Sequence, residues 1–107
     1  MQDFPEVNGW TVVPLSGDLD DFAAREVRGL LEVLLDGGSA RVVVDLGAVG
    51  FVDSTGLNAL LGAARRAREG RGAQRLAAAA PRVRDVIELT GVESLLPLYP
   101  DVAAACE

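Results

Sequence analysis

Two hydroxyl side chains stand next to each other in the run Asp53-Ser54-Thr55-Gly56, behind Phe51-Val52 and ahead of an apolar stretch that begins at Leu57. A helix start carries up to about four backbone N–H groups without intrahelical acceptors. Spacing alone favours plain capping there, because Asp, Ser and Thr satisfy such donors and a cap contributes about 1 kcal/mol. The same geometry suits a second chemistry. A phosphoryl group on Ser54 would bring roughly −1.5 to −2 charges to the positive end of the helix. The free N–H groups would donate to it, so the helix tolerates the phosphate. A partner packed against that helix end would not, because the charge adds to Asp53, repels acidic partner groups and resists desolvation. The position can therefore carry a switch that leaves the fold intact and changes an interface.

Other chemistries are excluded by what is missing. All basic side chains are Arg, and the chain has no Lys and no His. That removes Ser-His-Asp and Cys-His nucleophiles, zincin sites, Schiff-base chemistry and Walker-type phosphate loops. Asp18, Asp20 and Asp21 suggest a cation site or a receiver-type acidic pocket, but a receiver needs a Lys, and acids before a helix are favoured by its dipole. No general base has an evident activating partner, so an enzyme is not expected. The lone Cys106 can form neither an internal disulfide nor a cysteine cluster. A net charge of −6 argues against nucleic-acid binding and against docking on anionic membranes. The acidic start Met1-Gln2-Asp3-Phe4-Pro5-Glu6 lacks a signal-peptide pattern, and no apolar run approaches a spanning helix, so a cytoplasmic protein without direct membrane insertion is expected.

The elements that position these residues follow from pattern. At 107 residues the chain suits one small domain. Trp10 to Leu15 reads as a strand whose Pro14 points to an edge or margin. Phe4 to Val7 reads as a short strand before it, joined through Asn8-Gly9. Asp18 and Asp20 are placed to cap a helix with Ala23, Val27, Leu30, Leu31 and Leu34 on one face, ended by Gly37-Gly38. Arg41 to Leu46 is a β-branched run suited to a strand buried on both faces, with Gly47 and Gly50 expected to break the chain. The helix after Asp53 carries Leu57, Leu60, Leu61 and Ala64 as one stripe and ends at Gly70 and Gly72. Gln74 to Ala79 reads as a weak strand. Pro81 opens a third helix bearing Val83, Val86, Ile87 and Thr90, closed by Gly91. Val92 to Leu98 supplies apolar anchors, and Asp101 to Cys106 a last short helix. The order predicts an α/β domain around a small, mixed, mostly parallel sheet of about four to five strands with about four helices.

Three blocks in this order are similar to one family. Val43-Val44-Asp45-Leu46 followed by Phe51-Val52-Asp53-Ser54-Thr55-Gly56-Leu57 resembles the central motif of STAS-domain proteins, the bacterial anti-sigma factor antagonists. Leu15-Ser16-Gly17-Asp18-Leu19-Asp20 resembles the family's first motif, and Pro81-Arg82-Val83 through Leu89-Thr90-Gly91-Val92 its third. The resemblance spans residues 8–99, and the blocks share the family's order and spacing.

The resemblance implies a function and its residues. The family's phosphorylated serine falls on Ser54, and Thr55 matches a second hydroxyl that shares the role in some members. Asp20 matches an Asp near the phosphorylation site, and the partner-binding surface would comprise Asp18, Asp20, Asp53, Ser54, Thr55, Gly56 and Asn58. Unphosphorylated antagonists of this family bind an anti-sigma factor and free a sigma factor for transcription. That anti-sigma factor is also the serine kinase, and a phosphatase resets the cycle. ATP and magnesium would then belong to the partner, and this chain would need no cofactor. Two departures are visible: Ala23 or Ala24 stands where a small polar residue is common in the family, and the segment Arg65 to Arg75 is Arg-rich. That segment is read first as a solvated helix end and alternatively as a contact for an acidic partner. A non-switching STAS subunit of a membrane transport complex is the competing function, since fold does not fix function.

Overall fold

The computed structural model describes residues 4–38, 40–92 and 94–107. Among the described residues, five strands and four helices follow one another: β1 (Glu6–Val7), β2 (Trp10–Leu19), α1 (Asp21–Asp36), β3 (Arg41–Val52), α2 (Ser54–Glu69), β4 (Ala73–Ala77), α3 (Pro81–Leu89), β5 (Leu98–Tyr99) and α4 (Val102–Ala105). They form one sheet in the order β1-β2-β3-β4-β5. β1 runs antiparallel to β2 and every other pairing is parallel. The expected mixed, mostly parallel α/β sheet is the observed one.

Topology decides where the helices go. Parallel strands that follow one another in chain order, each joined by a right-handed crossover, place every crossover helix on the same face. Accordingly Leu31 of α1, Leu57, Leu60 and Leu61 of α2, and Val83 and Ile87 of α3 share one core with Val13, Val42, Val44 and Leu76 of the sheet. Val42, Val43 and Val44 are all fully buried, as a central strand requires. The opposite face is covered by α4, where Ala105 and Cys106 pack on Trp10, Val12, Val43 and Ala77. Asp101 caps α4 by accepting from the Ala104 N–H at 2.8 Å.

The main difference from expectation lies at Gly47 and Gly50. The chain does not break there: β3 continues to Val52 and β2 continues to Leu19. The two segments stay paired through Ser16↔Ala48, Gly17↔Val49, Asp18↔Phe51 and Leu19↔Val52, with register shifts between Pro14 and Ser16 and between Gly17 and Asp18. Extended backbone is open to glycine as to any residue, and bulged pairing absorbs the irregular spacing. Asp18 therefore lies in a strand and does not cap α1. Pro14 sits where expected, because β1 pairs only with Trp10 and Thr11 and leaves β2 an edge beyond them. The anchor segment before residue 99 adds a strand that apolar content alone did not reveal, Leu98–Tyr99, whose two residues are too few to show a period.

Candidate functional site

β2 and β3 end side by side, and each runs straight into a helix through an aspartate. Leu19 pairs with Val52, so Asp20 and Asp53 follow at equivalent positions. Asp20 caps α1 by accepting from the Ala23 N–H at 3.0 Å, and Asp53 caps α2 by accepting from the Gly56 N–H at 2.9 Å. Both caps have the extended backbone of an N-cap. The Asp53 N–H donates to the Leu19 carbonyl at 3.1 Å, which ties the start of α2 to the end of β2. Gly56 completes the join. A Cβ there would lie 2.1 Å from the Leu19 carbonyl oxygen and 2.9 Å from its Cβ, so only glycine permits the approach.

This arrangement fixes the exposure of every residue around the hydroxyl pair. Ser54 is the first residue of α2 and is exposed, and Thr55 beside it is half-buried. Asn58, four residues on, shares the Ser54 face of the helix and is also exposed. Asp53 takes the Gly56 N–H and its carbonyl accepts the first helical bond, from Leu57 at 2.9 Å. The N–H groups of Ser54 and Thr55 are thus the ones left without an intrahelical acceptor. Among the described residues neither hydroxyl is engaged by a protein hydrogen bond. The site combines an accessible hydroxyl, two free amide donors and the positive end of a 16-residue helix.

Asp18 and Asp21 are exposed at the same corner, at the end of β2 and the start of α1, while Asp20 and Asp53 are half-buried in their caps. Among the described residues no three acids converge as a metal-holding group. The candidate residues Asp18, Asp20, Asp53, Ser54, Thr55, Gly56 and Asn58 are thus gathered where β2 and β3 end, at one end of the sheet's strands, although the sequence holds them in two separate stretches.

The STAS domain family model matches residues 2–105. The chain belongs to the STAS domain family. This STAS domain is 31% identical over 100 residues to BtrV of Bordetella bronchiseptica, a protein assigned by name as an anti-sigma factor antagonist, covering 94% of this chain and 86% of that protein. A crystal structure of an anti-sigma factor antagonist from Mycobacterium paratuberculosis matches with 29% identity and a TM-score of 0.81, over 94% of this STAS domain and 86% of that chain. An anti-sigma factor antagonist structure from Thermotoga maritima matches the fold with a TM-score of 0.88 at 17% identity, over 95% and 88% of the two chains. The fold also occurs in a sulfate transporter family protein of Wolinella succinogenes, with a TM-score of 0.80 at 18% identity over 98% and 86% of the two chains.

The Arg-rich segment of the STAS domain divides into separate roles. Arg66 reaches Asp36 with Nε at 2.9 Å and a terminal nitrogen at 2.5 Å, joining the far ends of α1 and α2. The hydrogen bond to Asp36, and then the Coulomb attraction, hold the exposed Arg66 guanidinium further above its already high range. Arg75 lies over the Trp10 ring at 4.2 Å and the Tyr99 ring at 5.0 Å, and donates to the carbonyls of Ala105 and Glu107 at 2.8 and 3.0 Å. It clamps the C-terminal turn to the sheet. Trp10 is buried in strand packing, and Arg75 covers its ring. Periodicity missed one further feature of the corner: Phe22, on the first turn of α1, is 89% exposed.

Proposed function

We propose that this STAS domain is an anti-sigma factor antagonist: unphosphorylated, it binds an anti-sigma factor and so frees a sigma factor, and phosphorylation of Ser54 ends that binding. The observation that carries the reading is the exposed Ser54 at the start of α2, beside a cap that uses Asp53 and leaves two amides free. A phosphate there meets N–H donors and the helix dipole, so the domain keeps its fold. A protein docked at the same end of the strands meets a dianion that must be desolvated next to Asp53, so the complex loses stability. Relatives of the same family bearing the name anti-sigma factor antagonist support the class of partner.

In this reading the domain is a substrate, not an enzyme. The serine kinase is the anti-sigma factor itself, which holds the ATP and magnesium, and a phosphatase removes the phosphate in the cytoplasm. A transporter-subunit role would use the same fold, which the sulfate transporter family protein of Wolinella shares, but gives no work to an unengaged, exposed Ser54. The test is incubation with the anti-sigma kinase of the same genome, ATP and magnesium. Stoichiometric phosphate on wild type and none on Ser54→Ala is expected. Unchanged modification of Ser54→Ala, together with full-strength binding by Ser54→Asp, would overturn the reading.

A further inference from the structure

Helix α1 buries Ala24, Val27 and Leu31 against the sheet, yet its second residue, Phe22, is 89% exposed. A phenyl ring offered to water at a helix start contributes nothing to the core, and large rigid aromatics are the side chains that most often anchor interfaces. Its position is not arbitrary. Asp20, two residues before it, caps α1, and Leu19 before that receives the Asp53 N–H. Phe22 therefore stands at the same end of the parallel strands as Ser54, on the neighbouring helix.

We infer that Phe22 is the apolar anchor of the partner-docking surface, inserting into an apolar pocket of the anti-sigma factor whose rim carries Arg or Lys. This rests on the reading of the chain as an anti-sigma factor antagonist. The partner's chemistry follows from charge. Phe22 lines a shallow hollow with Asp21, Arg25 and Glu26, and Asp18, Asp20 and Asp53 stand at the same end of the strands. Carboxylates outnumber the single Arg around the ring, so an acidic pocket rim would be repelled and a basic one is complementary. Ser54 faces a different environment across the same interface, the phosphates of a kinase-bound nucleotide. This surface then separates two tasks, with Phe22 holding the partner by a contact that phosphorylation does not touch directly.

Leu89 supplies an internal comparison. It is 87% exposed and apolar, but it ends α3, which starts after β4 at the same end of the parallel strands, so Leu89 lies at the opposite end. The experiment measures Kd for the anti-sigma factor of the same genome with wild type, Phe22→Ala and Leu89→Ala, alongside urea midpoints. Phe22→Ala should bind at least about tenfold more weakly, the scale of an interface anchor. Leu89→Ala should bind like wild type, and all three should unfold at the same urea concentration. Equal binding by Phe22→Ala overturns the anchor while leaving the Ser54 reading in place, and equal weakening by Leu89→Ala also overturns it. If wild type binds no anti-sigma factor, the antagonist reading fails and the anchor with it.

Discussion

The carbonyl of Leu19 and the backbone of Gly56 are in direct apposition: a single added Cβ on Gly56 would sit 2.1 Å from the Leu19 oxygen. The same oxygen accepts the Asp53 N–H at 3.1 Å. One peptide group at the end of β2 thus sets both the entry and the first turn of α2, and so the place where Ser54 emerges.

Gly56→Ala should therefore be costly although alanine is the better helix former. The clash is with backbone, which cannot rotate away, so a loss of about 1–3 kcal/mol is expected for overpacking of this kind. A urea titration reads it, and an unchanged midpoint would mean that the junction yields freely.

Asp53→Ala removes the acceptor for the Gly56 N–H and should destabilise by about 1 kcal/mol, whereas Asp53→Asn retains a capping oxygen and should stay within a few tenths. If both variants also lose the partner equally, the carboxylate charge of Asp53 is needed for docking apart from its cap.

Ser54→Ala deletes a hydroxyl that no described protein group engages, so stability should shift by less than about 0.5 kcal/mol. Mass spectrometry after kinase treatment should show no phosphate at residue 54. Phosphate appearing instead on Thr55 would show that the neighbouring hydroxyl shares the role.

Arg75→Ala removes a guanidinium stacked on two rings and two carbonyl bonds, and should destabilise by about 1–3 kcal/mol. Arg75→Lys should recover only part of this, because an ammonium lacks the planar fork. Trp10 fluorescence reports the change directly, since the ring loses its covering cation. Anti-sigma binding should be unaffected, because Arg75 is on β4 and α4 covers that face.

Much of this was legible in the chain itself. The apolar stripe of Leu57, Leu60, Leu61 and Ala64 is buried as its spacing required, and Gly37 and Gly70 end the helices they follow. Gly47 and Gly50 were not legible as strand residues, because glycine marks a break in one setting and a bulge in another, and only the pairing with Ser16 to Leu19 distinguishes them. Arg65 to Arg75 looked like one basic segment, yet Arg66 and Arg75 point to unrelated partners, Asp36 and the C-terminal turn.

Local order was determined by sequence alone: where the helices start, which stripe is apolar, and that a hydroxyl pair opens a helix. Those are effects of hydrogen bonding and periodicity over a few residues. Tertiary structure decided the juxtaposition. Parallel strands in chain order bring the ends of β2 and β3 together, so Asp20 and Asp53, far apart in the chain, cap neighbouring helices, with exposed Phe22 and Ser54 at one end of the strands. Such a surface depends on strand register and helix packing, which long-range contacts fix and no local pattern encodes.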